Sequence, residues 1–278
     1  MTSLTEIADV ALIHVLERCS FSSVMRLRKV CKSLRKFIDE SHLTTDLNHV
    51  FISISPALLQ FRWTNPECTK ANIASLSLEE LNTILSIQSS KLETLRVSVH
   101  RQPWMLDDLE DILKAKRRPL QVLPYLDSSV LKIIHLQSTG WGKSVLDGME
   151  ELLETVQMKN AEIFKLSDFM VEKDLSKFFH FRECYLNFDK LAEEDLAALK
   201  EAFITSTHMY KFILQATNLD GTMAEKVFGE PSFDSAEVKI WYIDMKRCKK
   251  HLLGVECNKK TISFSRYSKP TISDEKIS

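Results

Sequence analysis

The sequence predicts an α/β chain: a short unit of two or three helices at the amino end, then an irregular, leucine-rich-repeat-like array of helices and short strands. Three observations carry that prediction. From Leu4 to about His42 the apolar residues recur at helical spacing. Beyond His42 the period changes to two, in short segments whose alternate residues are apolar. Helical patterns return between those segments at irregular intervals of roughly 20 to 50 residues, the rhythm of stacked repeats. An ordinary α/β domain with a mixed sheet is the rival reading.

In the amino-terminal unit, Ile7, Val10, Ile13 and Leu16 mark a first helix, and Val24, Leu27, Val30, Leu34, Phe37 and Ile38 mark the helical stretch after it. The break falls at Cys19 to Ser22, where "CSFSS" offers serine oxygens to cap a helix N-terminus. Seven strand segments come next: VFISI (50–54), LRVSV (95–99), IHL (134–136), FKL (164–166), CYLNF (184–188), FILQA (212–216) and ISF (262–264). Helical patterns lie between them at Leu78 to Ile87, Leu106 to Lys114, Val145 to Met158, Asp174 to Phe179 and Lys190 to Phe203. Ser77 with Glu80 and Thr222 with Glu225 have the spacing of a capping box, in which each residue's side chain satisfies the other's backbone N–H. Successive strand residues point to opposite faces, so apolar positions that face inward place their neighbours on one shared outer surface. Arg96, Ser98, His135, Lys165, Tyr185, Asn187, Ile213 and Gln215 would line it. A mixed surface of this kind, with an aromatic ring, amides and charges, suits protein recognition better than small-molecule chemistry.

Composition agrees with a globular chain long enough to bury a core: 278 residues, 44% hydrophobic, 27% charged, with a net charge of -1. No apolar run approaches the ~20 residues of a membrane span, and "MTSLTEIADV" lacks the basic start and apolar block of a signal peptide. The cytoplasm or nucleus is the expected location. Six cysteines, Cys19, Cys31, Cys68, Cys184, Cys248 and Cys257, follow no regular framework and read as free thiols of a reducing compartment. Six glycines and seven prolines leave little room for a long flexible linker.

Motifs that invite chemistry fail on their spacing. "TGWGKS" (139–144) ends like a phosphate-binding loop, but Gln137 stands where the first glycine belongs, so the amide-lined cradle cannot form. Cys248, His251 and Cys257 in "CKKHLLGVEC" supply three zinc ligands, one short of a structural site, with no second Cys/His pair after them. Asp107, Asp108, Glu110 and Asp111, like Glu193, Glu194 and Asp195, stand at or near predicted helix starts, where carboxylates meet the positive end of the helix dipole. No catalytic residue, metal or cofactor is expected.

"RLRKVCKSLRKFID" concentrates Arg26, Arg28, Lys29, Lys32, Arg35 and Lys36 against Asp39 and Glu40, a local charge of +4. Nothing elsewhere adds a second basic surface, and no base-reading set of polar residues shares a helix face, so nucleic acid is not the expected partner. The apolar half of the same segment is too large for a lone small helical unit to bury, and should find a partner.

"IADVALIHVLERCSFSSVMRLRKVCKSLRKFID" resembles an F-box, its second half matching the closing Val-Cys-(Lys/Arg)-x-(Trp/Leu)-Arg helix. "VLPYLDSSVLKIIHL" (122–136) resembles the recurring Leu-Pro-Tyr-Leu-Asp element of the FTH (FOG-two homology) domain that follows the F-box in the nematode F-box A family. The resemblance implies an F-box at 4–45, an FTH domain at 70–265 and a polar tail at 266–278. It implies a non-catalytic substrate-recognition subunit of an SCF-type cullin-RING ubiquitin ligase. The F-box would dock a Skp-family adaptor, and through it a cullin, while the FTH domain would hold an unknown substrate protein. Adaptor-facing positions would be Ile7, Ala8, Val10, Ala11, Ser22, Ser23, Val24 and Leu34, with Leu12, Leu16, Leu27, Val30 and Phe37 as the small core or its rim. Ala8 replaces the family's usual proline and Leu34 its usual tryptophan, which removes area an adaptor would cover. The competing reading is a bridging protein that has lost adaptor binding; a nucleic-acid binder acting through residues 26–36 is the third.

Overall fold

The computed structural model describes residues 9–41, 43, 49–54, 59–65, 68–75, 92–100, 123, 126–139, 144–146, 148–172, 174–219, 221–245, 247 and 250–269. Two compact units divide the chain, Met1–Ala161 and Glu162–Ser278.

The first unit begins with three short helices, α1 (Asp9–Glu17), α2 (Phe21–Arg28) and α3 (Lys32–Glu40). Each break has a cap: Ser20 Oγ accepts from Ser23 N at 3.3 Å, and Cys31 Sγ accepts from Leu34 N at 3.4 Å. These side chains satisfy N–H groups that the first helical turn leaves without a backbone partner. Leu12, Leu16, Val24, Leu34, Ile38 and Leu43 close the core among the helices, with Leu27 and Phe37 partly buried against it. Val30, expected in this core or at its rim, is 67% exposed.

After the helices run β1 (His49–Ile54), β2 (Leu59–Asn65), β3 (Cys68–Ser75), β4 (Thr94–His100) and β5 (Ile133–Thr139), in the spatial order β5-β4-β1-β2-β3. Strands β1, β4 and β5 are parallel, while β1, β2 and β3 form an antiparallel meander. Val50, Ile52, Leu95, Val97, Ile134 and Leu136 are all buried, as their alternation predicts. Ahead of β5, Leu123, Leu126 and Leu131 are buried while Asp127 stays outside, its carboxylate accepting from Ser129 N at 2.9 Å and Ser129 Oγ at 2.7 Å. The single helix expected at 145–158 is instead β6 (Ser144–Val145), α4 (Met149–Glu154) and α5 (Val156–Asn160). Thr155 divides the two helices, because its Oγ1 caps α5 by accepting from Met158 N at 3.3 Å.

In the second unit the elements are β7 (Ile163–Ser167), β8 (Phe169–Met170), a 3₁₀ turn (Leu175–Phe178), β9 (Glu183–Asn187), α6 (Glu193–Thr205), β10 (Lys211–Gln215), α7 (Gly221–Phe228), β11 (Phe233–Asp234), β12 (Lys239–Asp244), β13 (His251–Cys257) and β14 (Thr261–Ser268). The order β11-β12-β13-β14-β10-β9-β7 makes a mixed sheet, with β7, β9 and β10 parallel and the rest antiparallel. Its core is aromatic: Phe203 meets Phe212 at 5.5 Å and Phe264 at 5.7 Å, and Phe164 stacks on Phe181 at 5.4 Å.

Several expectations change here. The polar tail placed at 266 begins later, since β14 runs to Ser268 and Lys269 N still donates to Lys250 O at 2.8 Å. Glu225 pairs with Lys239 on β12, and α7 already starts at Gly221, so the Thr222–Glu225 spacing does not mark the helix start. The Glu193–Asp195 carboxylates do form a first helical turn, and Asp195 accepts from Ala192 N at 2.9 Å. His251 and Cys257 stand at opposite ends of β13, roughly 20 Å apart at the usual rise per residue, too far to share a metal. Cys248, the helices expected at 78–87 and 106–114, the Ser77–Glu80 pair and residues 140–143 of "TGWGKS" lie outside the described residues. Among the described residues no group of three metal-ligating side chains occurs, and no helix is long and apolar enough to cross a membrane.

Candidate functional site

Helix α1 is apolar on two sides. Leu12 and Leu16, one turn apart, point into the core, while Val10 and Val15 are 69% and 47% exposed and Ala11 is exposed beside them. A surface helix should turn one apolar stripe inward and present polar residues outward, so the outer stripe marks a face that wants covering. Val30, at the turn between α2 and α3, adds a further exposed apolar side chain.

Of the expected adaptor contacts, Val10 and Ala11 are exposed and Ser23 is half-buried, its Oγ 3.0 Å from Ser20 Oγ. Val24 and Leu34, both 3% exposed, are core residues and cannot be surface contacts while the helices stay packed. Ile7, Ala8 and the Ser22 side chain lie outside the described residues. Val15, not among the expected contacts, is exposed one turn beyond Ala11, a placement the helical spacing of the sequence already carries.

The basic segment separates into two kinds of residue. Arg28 is buried and makes a two-pronged ion pair with Asp39, Nε to Oδ1 at 2.6 Å and Nη2 to Oδ2 at 2.9 Å, tying α2 to α3. Lys36 stands 3.8 Å from Glu40 along α3. Arg26, Lys29, Lys32 and Arg35 are exposed. The segment is therefore partly structural.

The eight residues expected on the strand surface fall in both units. In the first, Arg96 lies in register between Phe51 and His135, stacks over the Phe51 ring at 5.5 Å and donates to Gln137 Oε1 at 2.6 Å. Ser98 is 2% exposed, beside the also buried Ser53, and is no part of an open surface. In the second, Lys165, Tyr185 and Ile213 form one register row across β7, β9 and β10, and the Lys165 ammonium sits 4.7 Å from the Tyr185 ring centre. Gln215 is exposed in the next row, while its neighbour Asn187 is buried. The turn after β7 covers Asn187, whose amide nitrogen donates to Leu166 O at 3.0 Å and Phe169 O at 3.2 Å.

At the carboxyl ends of these parallel strands the second unit has a cleft of about 260 Å³, lined by Tyr185, Asn187, Ile213 and Gln215 together with Ser167 and Asp168. Such strand ends are a common place for ligands, because the turns leaving them surround a concave surface with free backbone and polar groups. Asp168 was not expected; it turns the chain at a φ of 62°, which few residues other than glycine adopt and aspartate tolerates.

Family models match the chain twice, one described as an F-box domain over residues 4–46 and one as an FTH domain over residues 114–232. No curated protein matches it.

Proposed function

We propose that this chain, which carries an F-box domain and an FTH domain, is a substrate-recognition subunit of an SCF-type ubiquitin ligase. F-box domains generally bind Skp-family adaptors and through them a cullin, and F-box proteins are generally non-catalytic. The observation that carries the reading is the second apolar face of α1, with Val10, Ala11 and Val15 outward in the segment the F-box model matches. A helix docking through that face supplies apolar area, and the exposed cations of Arg26, Lys29, Lys32 and Arg35 favour an acidic adaptor surface beside it. The FTH region then holds the substrate along its strand surface. Within the second unit, the parallel neighbours β7, β9 and β10 support the repeat-like reading of that surface. Such a subunit works in the cytoplasm or nucleus.

The test is co-expression of the full chain with a Skp-family adaptor and a cullin. Wild type should be recovered in stoichiometric complex, and Val10→Asp with Val15→Asp should not, while its circular dichroism stays native. A wild-type chain that recovers no adaptor would refute the ligase reading.

A further inference from the structure

The cleft at the ends of β7, β9 and β10 contains a fixed polar side chain with an unused acceptor. Asn187 is 6% exposed, and its amide nitrogen is committed to the carbonyls of Leu166 and Phe169. Carbonyl oxygens only accept, so the amide cannot be turned the other way round, and Oδ1 is left as an acceptor to which no described residue donates. Among the described residues the buried side-chain polar atom without a partner is Arg266 Nε, so Asn187 Oδ1 reaches water at the cleft, and a ligand's N–H can take that water's place. Beside it Asp168 is exposed, and its carboxylate has no ion-pair partner among the described residues. The remaining walls are the Tyr185 ring and the Ile213 side chain, with the Gln215 amide free to turn either way.

An anion entering this cleft meets a carboxylate residue and an amide oxygen, whereas a cation finds two acceptors for its hydrogens. Lys165 does not fill that role, because its ammonium lies over the Tyr185 ring. A volume of about 260 Å³ has room for one long side chain and is smaller than most cofactor sites. We infer that the cleft takes a cationic side chain, arginine or lysine, of the bound substrate polypeptide. Its donors meet the Asp168 carboxylate and Asn187 Oδ1, and its aliphatic stem lies against Ile213 and Tyr185. The inference rests on the strand surface being the substrate surface.

The experiment titrates the labelled full chain with acetyl-Gly-Ala-X-Ala-Gly-amide peptides, X being arginine, lysine, norleucine or glutamate, following the Asn187 side-chain amide by NMR. Arginine and lysine peptides should bind about tenfold tighter than the norleucine peptide, the glutamate peptide weakest. Asp168→Asn, which keeps the size and suits the same backbone turn, should remove that tenfold preference and leave norleucine binding unchanged. Equal binding of all four peptides, or a preference that survives Asp168→Asn, overturns the cationic assignment while leaving the strand surface as a peptide site. Failure of every peptide to move the Asn187 signal overturns both.

Discussion

Val24 and Val30 stand six residues apart in one helical unit, yet aspartate should do opposite things at the two positions. Val24 is 3% exposed in the cluster of Leu12, Leu16, Leu34 and Ile38. Replacing it forgoes about 2 kcal/mol of side-chain burial and places a carboxyl in an apolar core, which adds several kcal/mol more. The segment from Asp9 to Leu43, at ~0.1 kcal/mol per residue, holds only about 3 to 4 kcal/mol, so Val24→Asp should unfold it. Val30 is 67% exposed, and Val30→Asp should change stability by no more than about 0.5 kcal/mol while weakening an adaptor seated on it by tenfold or more. Hydrogen–deuterium exchange over residues 9–43, run beside adaptor binding, separates the two. Protection that survives Val24→Asp while adaptor binding is lost would refute the reasoning and make Val24 a contact; full adaptor affinity in Val30→Asp would remove Val30 from the interface.

Other contacts carry their own expected outcomes. Asp39→Asn leaves the buried Arg28 guanidinium without its counter-charge and should cost about 2 kcal/mol in urea unfolding, less than a fully buried pair because the Asp39 side chain is 25% exposed. A Cβ on Gly254 would stand 2.8 Å from Tyr267 Cδ2 and closer still to Cε2. Gly254→Ala should therefore destabilise by about 1 kcal/mol in the native chain but stabilise by about 0.5 kcal/mol in a Tyr267→Ala background, where strand propensity alone remains. Hydrogen bonds from the Ser129 side chain and backbone hold the Asp127 carboxyl below its ordinary value. Its contribution to stability is thus present above the unfolded-state pKa and lost as pH falls through the lower folded value; NMR titration should show the Asp127 pKa rise in Ser129→Ala.

Strands β7 and β10 were legible because one face is buried and the other wetter, whereas β2, whose Leu59, Phe61 and Trp63 alternate with polar residues in the same way, was passed over. Phe164 and Leu166, or Phe212 and Leu214, alternate with half-buried or exposed neighbours, and period two follows from the pleat. β12 and β13 were missed because "KIWYID" and "HLLGVEC" run apolar residues together, and because Gly254 reads as a break where Tyr267 actually lies over it. Periodicity also assigns a face without saying what lies on that face. Asn187 points outward as predicted, but the turn from Leu166 to Phe169 covers it, and no property of Asn187 itself announces that. In the helices, Val24 and Leu34, made adaptor-facing by the family resemblance alone, are buried, and Val30, placed in the small core or its rim, is exposed.

The antiparallel pairing of β10 with β14 bears on how the second half of the molecule can be cut. Residues 211 to 215 bond to 261 to 265, well past residue 232 where the FTH match ends. A fragment trimmed to that match would strip β10 of its neighbour and leave a row of unpaired amides and carbonyls along a strand rich in phenylalanine, isoleucine and leucine. It would also empty the place of Phe264, whose ring packs against Phe203 and Phe228 at 5.7 Å each. Such an edge recruits other copies of itself, so the trimmed fragment should precipitate, whereas one carried through Lys269 keeps the edge closed.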